Sequence, residues 1–276
     1  MAERRSRFGF WRWIILLVLV GGGAAYWFAN QQETPFTGRD QFVAIPPAQA
    51  ERLGRDAYAE ILASSRVVAA GPQVAEIKQI GARLAEAAAP EDPGYDWRFE
   101  LIEDSSPNAF VLPGGYAAVH TGLLPVTQTE DGLAAVIGHE IGHALARHGS
   151  ERLSQTQLMQ IGAIGLGVVT GDMSAEAQRG LFQAFGIGSQ VGVLLPYSRE
   201  HEREADYIGL ILMARACYDP RAAVGVWQRM AEAGVGGGPE ILSTHPAPDS
   251  RIEYLEARMD EALAVRAAHC GAAQPA

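Results

Sequence analysis

One apolar helix with a polar string inside it constrains this fold more than any other feature. Between Leu133 and Leu145 nearly every residue is apolar, yet His139-Glu140-Ile141-Gly142-His143 interrupts the run. Side chains four residues apart lie on one face of an α-helix, so both imidazoles can reach a single ion. Glu140 lies about 100° further round the helix, where its carboxylate can hold an attacking water molecule. The string predicts a buried helix for metal-assisted hydrolysis, and the alternative is a helix with two hydrogen-bonded core histidines.

A third metal ligand must come from elsewhere, because a catalytic zinc ion takes three protein ligands and keeps a fourth position for water. The helix-like segment 197–213 contains the candidates Glu200, Glu202, Glu204 and Asp206, with His201 among them. Glu200 and Glu202 are two positions apart on nearly opposite helical faces, so they cannot both bind one ion. Geometry alone leaves Glu200, Glu202 and Glu204 open as ligands, or the whole group as a solvated first turn. His201 is expected at the surface.

Three motifs follow one another along the chain. HEIGH continues into ALARHG at 144–149, SREHEREAD follows at 198–206, and Thr244-His245-Pro246 precedes Arg251. Together they resemble the HtpX and CAAX-protease type of zinc metallopeptidase, metallopeptidase family 48, and in particular its OMA-like and its BepA-like or LoiP-like members. The resemblance implies a gluzincin site with one Zn²⁺ per chain.

The resemblance also implies a role for each residue that matches its motifs. His139, His143 and Glu202 correspond to the metal ligands, Glu202 being the first residue of an ExxxD motif. Glu140 corresponds to the general base of peptide hydrolysis. Asp206 lies one turn after Glu202, where it can accept a hydrogen bond from a ligating imidazole.

The third motif brings His245 and Arg251 toward the site. An imidazole near the metal can stabilise the oxyanion of the reaction, or it can occupy the open position of zinc and silence the enzyme. The alternative for His245 is a turn histidine before Pro246. Arg251 matches the HPxxxxR pattern of the family, which implies that it pairs with an acidic residue near the site.

The residues before the HExxH helix indicate a small β-sheet. Short strands are predicted at 97–102, 108–112 and 116–119. We therefore expect an α+β fold, a mostly helical gluzincin-type peptidase domain with a small sheet beside the HExxH helix. The resemblance implies that Asn108, Ala109 and Phe110 form an edge strand that binds an extended peptide substrate. The alternative is a buried strand without ligand contact.

The N-terminus combines arginines with an uncharged apolar run. An uncharged stretch of 17 residues runs from Trp13 to Ala29, and it is preceded by Arg4, Arg5, Arg7 and Arg12. That length is at the lower limit for crossing a bilayer, and basic residues before it favour a cytoplasmic N-terminus. We expect one N-terminal transmembrane helix in the bacterial inner membrane, single-pass, with the catalytic domain in the periplasm. The alternative is a cleavable signal peptide.

Charge and cysteine content bound the partners and the compartment. The net charge of −10 offers no basic face, so a nucleic-acid partner is not expected. Cys217 and Cys270 suit a disulfide in an extracytoplasmic domain, or they are two unpaired thiols. The sequence indicates no oligomeric state.

These features predict a membrane-anchored, extracytoplasmic zinc endopeptidase. The resemblance implies envelope protein quality control, with unfolded or misfolded envelope proteins as substrates. The alternatives are a chaperone-like binding protein with a structural or self-inhibited zinc site, and a membrane scaffold in which the HExxH string is accidental. The expected division is an anchor at 1–30, a linker at 31–47, the peptidase domain at 48–265 and a tail at 266–276.

Overall fold

The computed structural model of the chain describes residues 2–170, 174–189, 195–233 and 248–271. The described helices are α1 (Ala2–Ala29), α2 (Pro47–Ser64), α3 (Pro72–Ala87), α4 (Leu124–Thr127), α5 (Glu130–Leu145), α6 (His148–Val169), α7 (Ala175–Ser189), α8 (Leu195–Arg215), α9 (Arg221–Ala233) and α10 (Pro248–Cys270). The described strands are β1 (Gln31–Glu33), β2 (Asp40–Phe42), β3 (Arg98–Ile102), β4 (Ala109–Leu112) and β5 (Tyr116–His120). The predicted class, mostly helical α+β with small sheets, is confirmed.

The chain divides into two compact units. The first comprises Met1–Glu33, Arg39–Ile45 and Ser150–Ser198, and the second comprises Thr34–Gly38, Pro46–Gly149 and Arg199–Ala276. Both the HExxH string and the ExxxD motif fall in the second unit, so the candidate metal site is built within one unit.

In the first unit a short antiparallel hairpin follows α1. Strand β1 pairs with β2 so that Gln31 faces Phe42, and Trp27 at the end of α1 stacks on the Phe42 ring at 4.5 Å. The guanidinium of Arg39 donates two hydrogen bonds to the buried carboxylate of Glu151 on α6, at 2.7 and 3.3 Å. A paired guanidinium offsets the cost of burying that charge.

The predicted membrane span falls on α1. Within the described residues, none of the helices combines the length and the apolar character needed to cross a bilayer. The N-terminal transmembrane helix is therefore not confirmed.

In the second unit the sheet has the order β3-β5-β4. Strand β5 lies in the middle, parallel to β3 and antiparallel to β4, with Phe99 and Ala109 facing Ala117 and Val119 in the register. The three predicted strands are present, and β4 and β5 are joined by a turn whose two glycines, Gly114 and Gly115, have φ of 98° and 88°. Only glycine adopts such angles readily, so these two residues permit the tight reversal.

Helix α5 is the centre of this unit. It is apolar on every side and buried from Gly132 to Leu145, apart from the partly exposed His143. Such a helix must be surrounded, and α5 packs against α3, β4 and α9. Its N-terminal cap is Thr129, whose hydroxyl accepts a hydrogen bond from the N–H of Gly132 at 3.0 Å. Asp131, in the first turn, accepts a hydrogen bond from the N–H of Asp219 at 2.9 Å.

A disulfide joins the second residue after α8 to the end of α10. Cys217 and Cys270 are bonded, with Cα atoms 5.7 Å apart and a sequence separation of 53. This is the first of the two alternatives that the sequence left open. A covalent link across a long loop restricts the unfolded chain and so stabilises the packing of α10 against α8.

Candidate metal centre

The two histidines of α5 present their imidazoles to one point. Their Nε2 atoms lie 3.1 Å apart, and the ring centroids lie 4.6 Å apart in an edge-on arrangement. His139 is buried, and the side chain of His143 is 14% exposed. One helical turn therefore delivers both nitrogens to the same place, and His143 is the more exposed of the two residues.

Glu202 reaches the same point from α8. Its Oε2 lies 3.4 Å from Nε2 of His139, and its Oε1 lies 3.5 Å from Nε2 of His143. Nitrogen and oxygen ligands of a tetrahedral zinc ion, at bonds of about 2.0–2.1 Å, are separated by roughly 3.3 Å. These three separations, two of them measured to different oxygens of Glu202, lie close to that value, so the donor set and its spacing fit a metal ion. We call the set His139, His143 and Glu202 the ligand triangle. Glu200, the competing candidate two positions earlier, is exposed.

Helices α5 and α8 are in close backbone contact beside the ligand triangle. A Cβ atom placed on Gly209 of α8 would lie 2.8 Å from the backbone N of His139, and one placed on Gly142 of α5 would lie 2.8 Å from the carbonyl O of Ala205. Real side chains do not tolerate such distances. The glycines therefore determine the α5–α8 separation on which the ligand triangle depends.

Replacement of Gly209 by alanine is expected to push α8 away from α5, weaken metal binding and destabilise the metal-free protein by about 1–3 kcal/mol through overpacking. Thermal unfolding and zinc titration would measure both effects. Gly180→Ala is the matched control, because nothing lies within 4 Å of that position in α7. The control is expected to be neutral or slightly stabilising, by up to about 1 kcal/mol. Identical behaviour of the two variants would contradict this account of the helix contact.

A buried arginine supports the ligands from behind. The guanidinium of Arg251 on α10 donates to both oxygens of Asp206, through Nε at 2.8 Å and through a second, shorter bond from Nη2. Its Nη1 lies 2.9 Å from Oε2 of Glu202. The same group lies 3.4 Å above the ring of Trp227, a cation–π contact. The implied pairing of Arg251 with an acidic residue thus has two partners in the structure.

Asp206 in turn orients the first histidine. Its Oδ1 lies 3.0 Å from Nδ1 of His139, which leaves Nε2 directed toward the ligand triangle. A carboxylate on the second ring nitrogen is the usual support for a metal-binding histidine. The described structure thus brings together His139, His143, Glu202, Asp206 and Arg251.

The surroundings shift the histidine pKa values in opposite directions. Burial and the charge of Arg251 lower the pKa of His139, but hydrogen bonds to Asp206 and Glu202 outweigh them and raise it to about 9. For His143 burial prevails over the attraction of Glu202, and its pKa lies well below the ordinary value. A proton in the metal-free site therefore resides on His139, and a metal ion must displace it.

A second polar group lies behind His143, and most of it was not predicted from the sequence. Nδ1 of His148 lies 2.8 Å from Nδ1 of His143, and Nε2 of His148 lies 2.9 Å from Oε2 of Glu204. Glu204 thus belongs to this group behind the ligands, and Glu202 faces the triangle. His201 was expected at the surface, but it is buried at 2% exposure, with its ring stacked 4.2 Å from that of His148. The expectation was wrong because the neighbouring carboxylates of Glu202 and Glu204 are buried and pair with other buried groups, so this part of α8 is not a solvated turn.

Of the other residues predicted for the site, Glu140, Asn108, Ala109 and Phe110 lie within the described part of the chain. Glu140 is buried at 3% exposure next to His139. Asn108 and Ala109 are buried at the start of β4, with Phe110 partly buried beside His120. Strand β4 packs beside α5 and pairs with β5; within the described residues no other strand pairs with it. His245 lies outside the described residues.

Comparison with known proteins identifies relatives of the whole domain. The model of peptidase family M48 matches residues 72–259, more than half of the chain. The mitochondrial metalloendopeptidase OMA1 of Schizosaccharomyces pombe is 35% identical over 260 residues, which cover 92% of this chain and 74% of the relative. The human metalloendopeptidase OMA1, mitochondrial, is 30% identical over 272 residues, 92% of this chain and 51% of the relative. The putative beta-barrel assembly-enhancing protease of Vibrio cholerae is 33% identical, covering 73% of this chain and 42% of the relative.

These relatives contradict the predicted localisation. The chain was expected to be a single-pass protein of the bacterial inner membrane with a periplasmic catalytic domain. Several of the relatives, among them those of Schizosaccharomyces pombe and Saccharomyces cerevisiae, are named as mitochondrial enzymes. The prediction was wrong because it rested on a short apolar run and its flanking arginines, which also occur in proteins of other compartments.

Proposed function

Because this chain belongs to peptidase family M48 and is a metalloendopeptidase, we propose that it cleaves peptide bonds with one zinc ion held by His139, His143 and Glu202. The observation that carries the proposal is the ligand triangle. The Nε2 atoms of His139 and His143 lie 3.1 Å apart, and they lie 3.4 and 3.5 Å from Oε2 and Oε1 of Glu202, respectively, spacings that suit one ion held by three protein ligands. When bound, zinc supplies Lewis acidity that polarises the substrate carbonyl and acidifies water. Membership of a peptidase family argues against the chaperone-like and membrane-scaffold alternatives.

Glu140 is proposed as the general base. It follows His139 directly in α5 and is buried like it, so its carboxylate is shielded from bulk water. There it would take a proton from the attacking water and return it to the leaving amine. Asp206 would keep the imidazole of His139 oriented during this transfer by accepting a hydrogen bond from its Nδ1, and Arg251 would hold Asp206 in place.

The substrate is proposed to be an extended, unfolded stretch of protein. Strand β4 lies beside α5. A peptide that pairs with the edge of a strand is recognised through its backbone groups more than through its side chains. Asn108, Ala109 and Phe110 at its start are the proposed contacts. A role in clearing misfolded proteins is consistent with this mode of recognition. His245 stays a prediction, as an oxyanion donor or as an inhibitory ligand, and the division into 1–30, 31–47, 48–265 and 266–276 is likewise proposed.

Metal removal tests the proposal directly. The purified protein is expected to contain one zinc ion per chain and to digest casein. Removal of the ion with 1,10-phenanthroline is expected to reduce digestion to background, and one equivalent of Zn²⁺ is expected to restore it. Metal content by mass spectrometry and peptide release would be measured on the same sample. Full digestion by the metal-free protein would overturn the proposal.

A further inference from the structure

A continuous line of polar groups runs from the metal ligand His143 to a loop that lies before the matched family region. We call the set His143, His148, Glu204, Thr34 and Thr37 the polar relay. Oε1 of Glu204 accepts hydrogen bonds from the hydroxyls of Thr34, at 2.8 Å, and of Thr37. The two hydroxyl oxygens are 2.6 Å apart. His148, Glu204 and Thr34 are buried at 4%, 6% and 2% exposure.

The directions of the hydrogen bonds in the relay follow from metal binding. If His143 binds an ion through Nε2, its Nδ1 carries the hydrogen and must donate it, and Nδ1 of His148 is the acceptor at 2.8 Å. Neutral His148 then carries its own hydrogen on Nε2 and donates to Glu204 at 2.9 Å. One tautomer of each ring satisfies the whole line. With both rings neutral, the relay is therefore complete when His143 is in the tautomer that a metal requires.

The backbone around His148 is held in place on two sides. Arg147, between α5 and α6, has φ of 56°, a left-handed conformation that ends α5 and turns the chain back toward its last turn. A non-glycine residue in this region is strained, and the surrounding contacts must offset the strain. The stacked ring of His201 supplies such a contact at 4.2 Å. His148 is thus fixed beside His143 by its position in the chain and by packing.

The loop that supplies the hydroxyls is itself anchored. The N–H of Gly38, which has φ of 68°, donates to the carbonyl O of Thr34 at 3.0 Å and closes a tight turn. The ring of Phe36 packs against the core, and the guanidinium of Arg215 lies 5.0 Å above it. Both threonines are therefore presented to Glu204 by an ordered turn.

We propose that the loop Thr34–Gly38 is part of the metal site, and that its two threonines are positioning residues for His143. One oxygen of Glu204 accepts from the two threonine hydroxyls and the other accepts from His148, so Glu204 is held in a single orientation. Through His148, the same contacts hold the imidazole of His143. The inference rests on the proposed zinc site and extends it to a segment outside the match to the family model, which begins at residue 72. Support of a ligating histidine from a second residue typically changes metal affinity by about 10–100-fold.

Two paired variants test the proposal. The double variant Thr34→Val/Thr37→Val keeps shape and removes both hydroxyls, and Thr34→Ser/Thr37→Ser keeps the hydroxyls. The valine variant is expected to bind zinc about 10-fold more weakly, and the serine variant is expected to match the wild type. Zinc affinity would be measured by competition with a chromophoric chelator. In the Co²⁺-substituted protein, the visible absorption bands are expected to shift for valine alone, a change that a purely structural role of the loop would not produce.

His148→Phe keeps the ring that stacks on His201 and removes both nitrogens, so it tests the relay if the valine variant fails to fold. It is expected to weaken zinc binding by about 10–100-fold, with a metal-free protein that still unfolds cooperatively. Wild-type affinity and an unchanged cobalt spectrum in the folded valine variant, or in folded His148→Phe, would overturn the inference. Absence of zinc binding in the wild type would instead overturn the proposed function, so the two failures are distinguishable.

Discussion

Replacement of Glu140 by glutamine is expected to reduce peptide cleavage by about 10²–10⁴-fold, the usual contribution of a general base. Glutamine has nearly the same shape as glutamate but cannot take a proton from water at neutral pH. Glu140 is not one of the three residues of the ligand triangle. Zinc content is therefore expected to stay at one ion per chain. Initial rates on an unfolded substrate, with metal analysis of the same preparation, would measure both quantities.

Glu130→Gln is the matched control for this variant, because Glu130 lies in the first turn of the same helix, where its side chain is 51% exposed. It removes the same charge from α5 without touching the site, and unchanged cleavage is expected. Normal cleavage by Glu140→Gln would show that the base lies elsewhere. Loss of zinc from Glu140→Gln would reassign the residue to metal retention.

Replacement of Arg251 by methionine is expected to destabilise the metal-free protein by about 3–5 kcal/mol, because it leaves Asp206 and Glu202 buried without the guanidinium that pairs with both. Arg251 is 1% exposed, and both carboxylates are buried at 3% exposure or less. For a domain of this size the melting temperature should fall on the order of 10 °C. The loss of an orienting partner for Asp206 should also weaken zinc binding. Thermal unfolding in chelator, followed by zinc titration, separates the two effects.

Arg258→Met on the same helix provides the comparison. Arg258 pairs with Glu261 at 3.3 Å, but both side chains are close to half exposed. Such surface pairs contribute about 0–1 kcal/mol, so the melting temperature should barely change. If Arg251→Met were as stable as Arg258→Met, the buried guanidinium would not be balancing the two carboxylates.

The sequence alone was sufficient for the elements with strong local signals. The apolar run around His139 and His143 requires a helix that is buried on all sides, and the alternating residues before it require a small sheet. Both elements are present. The spacing of His139 and His143 places them on one helical face by geometry alone. Other predictions failed where the local signal was shared by several outcomes. The uncharged run before residue 30 suits a membrane span or a targeting segment, and the charged start of α8 looked solvated although His201 is buried there.

What the sequence determined by itself is the local chemistry: two imidazoles four residues apart, a carboxylate beside them, and motifs that resemble one peptidase family. These are properties of a helix and of residue spacing, which do not depend on the rest of the fold. Only the tertiary structure decided which carboxylates serve the metal triangle and which serve the polar relay. Glu202 and Glu204 are two positions apart on α8, so the helix directs them to different sides. Their partners, Arg251 and Thr34, come from distant segments, whose approach depends on long-range packing that no local pattern encodes.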